Sequence, residues 1–95
     1  MKRIDLRAFK AFVRTLEGQT LKTRVQDKLF TVKVRTGGIL LTPHSTGKPR
    51  PITDDQLDQF LDLFAEKGSF QAIDYLRETR NASYLLALLG KYSHT

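Results

Sequence analysis

The residue types best suited to chemistry lie together in the segment HSTGKPRP (44–51), which holds a histidine, two hydroxyls, a Gly-Lys pair and two prolines. A Gly-Lys pair closes the phosphate-binding loop of many nucleoside triphosphatases. In that loop a glycine stands five residues before the pair and a Ser or Thr follows it. Here Thr42 and Pro49 occupy those two positions, and the proline also denies the next turn a backbone donor. The segment is therefore not a nucleotide-hydrolysing loop.

The same segment still offers groups that suit a polyanion. Pro43, Pro49 and Pro51 are expected to hold its backbone extended. Lys48 and Arg50 would then project with little conformational entropy left to lose on binding. The neighbouring hydroxyls and the glycine amide can donate hydrogen bonds to phosphate oxygens. The competing interpretation is a stiff connector whose two cations are simply solvated.

The remaining polar side chains form no catalytic or metal-binding pattern. His44 and Ser45 are neighbours in sequence, which does not arrange them as base and nucleophile in space. Asp58 and Asp62 share a helix face, and a solvated helix surface explains them more simply than a magnesium site. The NAS triplet at Asn81 fits a helix cap better than a glycosylation site. Without cysteine, no thiolate zinc site is possible. The sequence predicts a protein that is not an enzyme and holds no cofactor and no metal.

The whole chain has a net charge of +6, and its positive charge is concentrated in the first half. Residues 1–50 contain 12 of the 16 Lys and Arg and only three acids, a balance of +9, whereas residues 51–95 have a balance of −3. Such polarity favours a protein that binds something anionic. The alternative is a generally basic, solvated surface.

The length of 95 residues suits one domain spanning 1–95. No apolar run approaches the roughly 20 residues of a membrane span. The N-terminus also lacks the apolar segment of a signal peptide. We expect a soluble, cytoplasmic protein with no membrane partner.

An amphipathic helix is predicted over residues 6–17, capped by Asp5 and ended by Gly18. Its apolar residues recur at three- and four-residue steps, which is typical of a face that enters a core. A row of cations follows the same rhythm on the flank of that face and includes Arg7, Lys10 and Arg14.

Three strands should follow. The segments TLKTRV (20–25) and LFTVKVRT (29–36) alternate apolar and polar residues, the pattern of half-buried strands. The segment ILLT (39–42) gives a third strand, ended by Pro43, which cannot donate to a ladder. Turns at QDK and at Gly37-Gly38 connect them. The prediction is a three-stranded antiparallel meander.

The polar positions of the first two strands carry four cations, Lys22, Arg24, Lys33 and Arg35. If those strands pair, the four share one exposed face with neighbours about 5 Å apart. Like charges set opposite each other destabilise a sheet. An anionic ligand would relieve that repulsion.

The second half predicts helices that cover the other sheet face. Thr53 and Gln56 have the spacing of a capping box, and Gly68 marks the helix end. Residues 69–80 suit a short helix or an irregular connection. A last helix begins at Asn81, and its leucines cover most of its circumference. Such a helix is either central to the core or shared with a partner, so a homodimer through residues 84–89 is one expectation.

The predicted fold class is therefore α+β: an N-terminal helix, a three-stranded antiparallel sheet, and two or three C-terminal helices packed on one sheet face. The predicted function is non-enzymatic binding of duplex DNA. The open face offers no aromatic platform of the kind that RNA-recognition sheets use. Lys22, Arg24, Lys33 and Arg35 would lie over the groove. The phosphate contacts would come from Arg7, Lys10, Arg14, Lys48 and Arg50.

A second hypothesis belongs to another class of protein. The acidic helix at 54–67 and the leucine-rich C-terminus would then form a docking surface, and the chain would act as an adaptor or subunit. Retention on duplex DNA with a steep salt dependence would separate the first function from the second.

Overall fold

The computed structural model describes residues 3–93 and shows a small α+β domain. Within that range the elements follow in this order: α1 (Leu6–Arg14), β1 (Leu21–Lys22), β2 (Leu29–Arg35), β3 (Gly38–Pro43), β4 (Arg50–Thr53), α2 (Asp54–Lys67), a 3₁₀ helix (Ala72–Tyr75) and α3 (Ala82–Ser93). The strands form one antiparallel sheet in the order β1-β2-β3-β4. The helices lie on the face of the sheet that carries the apolar side chains.

The sheet has one strand more than the sequence predicted. Residues 50–53 pair with β3, with Ile52 opposite Ile39 and Pro51 opposite Leu40. The prolines of this segment had suggested an extended loop. A strand at the edge of a sheet pairs on one side only and so tolerates a proline, which is why β4 forms here.

The first strand is shorter than predicted. It ends at Lys22, and residues 23–28 form a compact loop. Thr23 is buried and closes this loop: its N–H donates to the carbonyl of Lys28 at 2.9 Å, and its Oγ1 accepts from the Lys28 N–H at 3.0 Å. Asp27 adopts a positive φ of 53° inside the loop. Val25, expected to face inward, is 86% exposed.

The predicted caps at Asp5, Thr53 and Gly68 are confirmed. Asp5 accepts a hydrogen bond from the Ala8 N–H at 2.9 Å. Thr53 and Gln56 form a reciprocal capping box, with bonds of 3.2 and 3.0 Å. Gly68 ends α2 in the left-handed conformation with φ of 63°. These local devices fix where α1 and α2 begin and where α2 stops.

The first helix, predicted to run to residue 17 and end at Gly18, already ends at Arg14 with Thr15 as its C-cap. The side chain of Asn81, the predicted cap of the last helix, accepts a hydrogen bond from Arg50 instead.

The core is built around α3, whose residues from Tyr84 to Gly90 are all buried. The Tyr84 ring meets the edge of Phe30 from β2 with a centroid separation of 5.1 Å. The Phe9 ring of α1 approaches Tyr92 near the end of α3. The leucine-rich helix is thus central to the core, and residues 84–89 leave no exposed apolar surface for the expected homodimer. Among the helices described, none is long and apolar enough to cross a bilayer.

Two close contacts lie near the edges of the sheet, one between Glu17 and β2 and the other between Gly38 of β3 and Ile52 of β4. β1 pairs only with Leu29 and Phe30, and further along β2 the N–H of Val34 donates to Oε2 of Glu17 at 3.1 Å. On the other side of the sheet, a Cβ added at Gly38 would lie 2.1 Å from the carbonyl oxygen of Ile52. Glycine at this position is therefore what allows β3 and β4 to approach so closely.

Candidate nucleic-acid interface

The face of the sheet turned away from the helices is polar, with a few aliphatic side chains. Its composition follows from the register, which places Thr31 opposite Thr42 and Lys33 opposite Leu40. The outward positions of the four strands are Lys22, Leu29, Thr31, Lys33, Arg35, Gly38, Leu40, Thr42, Pro51 and Thr53. None of these residues is aromatic. This open face can supply charge and hydroxyl groups but no stacking platform.

Lys33 and Arg35 are the two cations that the open face displays most clearly. Both are exposed, and neither forms an ion pair with any residue between 3 and 93. Arg35 lies opposite Gly38, which has no side chain to cover it. Both cations keep the accessibility that the sequence predicted.

The predicted juxtaposition of four strand cations does not form. Lys22 is exposed but lies opposite Leu29, so it does not face Lys33 across the strands. Arg24 follows the end of β1 and turns toward the helices. Its Cζ lies 4.6 Å from the centroid of the Phe70 ring. A Cβ at Gly90 would come within 2.4 Å of its Nη1, so Arg24 packs across α3 instead of joining the open face.

The cations of α1 meet the sheet at the Arg35 end of β2. Lys10 Nζ donates to Asp54 Oδ1 at 2.9 Å and to the carbonyl oxygen of Arg35 at 3.4 Å. Its charge is therefore partly neutralised by Asp54. Arg7 and Arg14 lie one turn before and one turn after Lys10 on the same flank, and both are exposed. Together with Lys10 they border a shallow hollow of about 400 Å³.

Two contacts hold α1 and the turn after it beside β2: the Lys10–Arg35 bond and the Glu17–Val34 bond. The flank of α1 is thus held beside the backbone of β2 at its Arg35 end, and Lys33 and Arg35 project from the outward face of that strand. Four exposed cations without an ion-pair partner among residues 3–93 lie on these two elements. We call this set the basic corner: Arg7, Arg14, Lys33 and Arg35.

The two loop cations lie away from the basic corner. Arg50 has the register of the inner face, opposite Leu41. Its Nη1 lies 3.3 Å from Oδ1 of Asn81, and its Cζ lies 5.6 Å from the centroid of the Tyr84 ring. Arg50 thus anchors β4 to the start of α3. Lys48 is exposed in the loop that leaves β3 at Pro43, at the end of the sheet opposite Arg35.

Most acidic groups of α2 are engaged with cations from other elements. Arg3 binds both Asp58 and Asp62, and the hydrogen bond that Arg3 donates to the Asp58 carboxylate raises the pKa of Arg3 above its ordinary value. Lys67 lies 3.6 Å from Glu78. No three His, Cys, Asp or Glu side chains of residues 3–93 converge in a way that would hold a metal ion.

Sequence reasoning missed the intramolecular partners of Lys10, Arg24 and Arg50. Lys10 and Asp54 are 44 positions apart, and the sequence around either residue does not pair them. The contacts of Arg24 and Arg50 join residues more than thirty positions apart, and no local pattern announces them.

Comparisons with known proteins assign no family to the chain. No protein-family model matches it, and no curated protein or solved structure shows detectable similarity to it. The chemistry of the described residues is the basis on which a function can be proposed.

Proposed function

We propose that this protein binds duplex DNA through the basic corner and the adjoining open face of the sheet. The supporting observation is the set of four exposed cations with no ion-pair partner among residues 3–93, carried by the two contacting elements α1 and β2. Unpaired cations held on rigid elements release the counterions of a polyanion without first breaking internal contacts. Three of these four are arginines, whose planar guanidinium groups match phosphate oxygens in pairs.

The geometry of α1 suits contacts to the DNA backbone. Arg7 and Arg14 are seven residues apart, which is about 10 Å along a helix axis. Successive phosphates of one DNA strand advance about 3.4 Å along the duplex axis, so the two arginines would span about three nucleotides. In this proposal they contact phosphates and fix orientation.

The open face suits a groove better than it suits unstacked bases. Its outward residues are threonines, aliphatic side chains and the cations Lys33 and Arg35, without an aromatic ring. Proteins that bind single strands use aromatic stacking on such a face. Lys33 and Arg35 would face the duplex, and this composition favours DNA in double-stranded form.

Five of the nine cations predicted from sequence have a smaller part in this proposal. Lys10, Arg24 and Arg50 have intramolecular partners. Lys22 and Lys48 lie toward the other end of the sheet. They would add long-range attraction and little directed contact.

The test is a binding titration of a fluorescent duplex of about 20 base pairs, followed by anisotropy at several salt concentrations. If each of the four cations of the basic corner neutralises one phosphate charge, including Lys33 and Arg35 at the groove, the slope of log K against log salt should be about −3.6. The double variant Lys33→Glu/Arg35→Glu should weaken binding by at least about tenfold. The matched control is Arg77→Glu/Arg80→Glu, which changes the net charge equally at two exposed, unpaired cations of the helical layer.

Equal losses in the two double variants would show that net charge alone governs binding and would refute a defined face. Binding that does not depend on salt, or no binding at all, would refute the proposed function.

A further inference from the structure

A cleft on the side of the molecule formed by β4 and α2 has a chemistry different from that of the basic corner. It lies between α2 and residues 78–81, with β4 and α3 at its base. Its volume is about 480 Å³, within the range of small-molecule sites in proteins. It includes none of the residues of the basic corner and shares only Pro51 with the open face of the sheet.

The floor of the cleft is apolar and already in place. Ile52, Phe60 and Leu85 line it, and their exposed fractions are only 4%, 4% and 2%. The Phe60 ring packs against Tyr75 at a centroid separation of 5.0 Å, and the Tyr75 hydroxyl donates to the carbonyl of Ser69 at 2.8 Å. A compact apolar group entering the cleft would meet side chains that are held by the core.

The rim supplies acceptors but no cation. Asp62 and Glu78 line the cleft, and none of its lining residues between 3 and 93 is Lys, Arg or His. Each carboxylate has one oxygen in an ion pair, Asp62 with Arg3 and Glu78 with Lys67. The second oxygen of each has no bond to another residue between 3 and 93, and the side chain of Gln59 is also free of such bonds. The lining described between residues 3 and 93 therefore offers hydrogen-bond acceptors, and its two carboxylates are paired with Arg3 and Lys67 just outside the cleft.

We propose that this cleft binds a small organic cation, in which an ammonium group is attached to a compact apolar body. The apolar body would rest on Phe60 and its neighbours, and the ammonium group would donate to the free oxygens of Asp62 and Glu78. A carboxylate ligand of the same shape would meet the same acceptor oxygens and no cation among the lining residues between 3 and 93. This inference does not depend on DNA binding.

The test compares three probes of one shape with the wild-type protein: 2-phenylethylammonium, 2-phenylethanol and 3-phenylpropanoate. Binding is followed through the backbone amide shifts of the ¹⁵N-labelled protein. We expect saturable shifts confined to residues 51–63 and 78–85. The ammonium should bind about fivefold more tightly than the alcohol, and the carboxylate should give no saturable shift.

The double variant Asp62→Asn/Glu78→Gln should lose that fivefold preference and keep the affinity for the alcohol, which also reports that the cleft remains folded. Asp55→Asn is the control, because Asp55 is an exposed carboxylate of α2 outside the cleft. The proposal is overturned if the ammonium gives no saturable shift up to about 20 mM, well above typical weak-ligand dissociation constants. Equal binding of the carboxylate, or an unchanged preference in the double variant, would also overturn it.

Discussion

Replacing Asp54 by asparagine should strengthen DNA binding while weakening the fold. Lys10 Nζ is 2.9 Å from Asp54 Oδ1, and the two side chains are 20% and 38% exposed. Asparagine keeps the shape of the side chain and removes the charge, so Lys10 becomes free to act as a fifth phosphate contact beside Arg7 and Arg14. The slope of log K against log salt should then steepen from about −3.6 to about −4.5.

The same relation gives the expected gain in affinity. Each phosphate contact raises the binding constant about eightfold at 0.1 M salt relative to 1 M salt, because the binding constant varies with salt concentration to the power of about −0.9 per contact. The Asp54→Asn variant should therefore bind up to about eightfold more tightly at 0.1 M salt. Its free energy of unfolding should fall by about 1 kcal/mol, because a partly exposed ion pair and a favourable charge at the start of α2 are both lost.

The matched control is Asp55→Asn. Asp55 lies in the same first turn of α2, is exposed and forms no ion pair with residues 3–93, so the net charge changes equally while Lys10 stays paired. Anisotropy titrations at four or more salt concentrations measure both slopes, and urea unfolding measures both stabilities. Equal slopes for the two variants would refute the idea that Asp54 restrains Lys10.

Two further predictions concern the fold. Gly38→Ala should lower the free energy of unfolding by about 3 kcal/mol, because the new methyl group would meet the carbonyl of Ile52. Gly47→Ala, with open space but φ of 65°, should cost only about 1 kcal/mol in the same urea titration; similar costs would contradict the steric reasoning. For Tyr75, burial raises the pKa above its ordinary 10.0, so the folded state holds that proton more tightly and wild-type stability should fall as pH rises above about 10. The Tyr75→Phe variant has no phenol to titrate, so its free energy of unfolding should be about 1 kcal/mol below that of the wild type at pH 8 and closer to it at pH 11. Urea unfolding at both pH values measures this difference, and an equal difference at pH 8 and pH 11 would contradict the prediction.

Local sequence patterns carried much of the architecture. Asp5, Thr53 and Gln56 are capping residues whose chemistry is decided within a few positions. The alternation in β2 placed Phe30 and Val32 inward, and both are buried. Such signals depend on period and on nearest neighbours, so a single sequence contains them.

Other features depended on contacts that no local pattern contains. The alternation of 20–25 suggested a strand through Val25, but the Thr23–Lys28 bonds end it early. Register then decides which residues meet across strands, and it placed Leu29, instead of a cation, opposite Lys22. The predicted set of nine cations is therefore larger than the basic corner on which the proposed function depends.

The Glu17 carboxylate on the Val34 amide and the proline within β4 have a consequence for how molecules of this protein meet one another. An unpaired strand amide is a template on which a neighbouring chain can begin a new strand. Here the carboxylate already occupies that donor on one flank, and Pro51 has no donor to offer on the other. At high concentration, molecules of this protein should therefore pair poorly through their strand edges, and contacts between them should involve side chains instead.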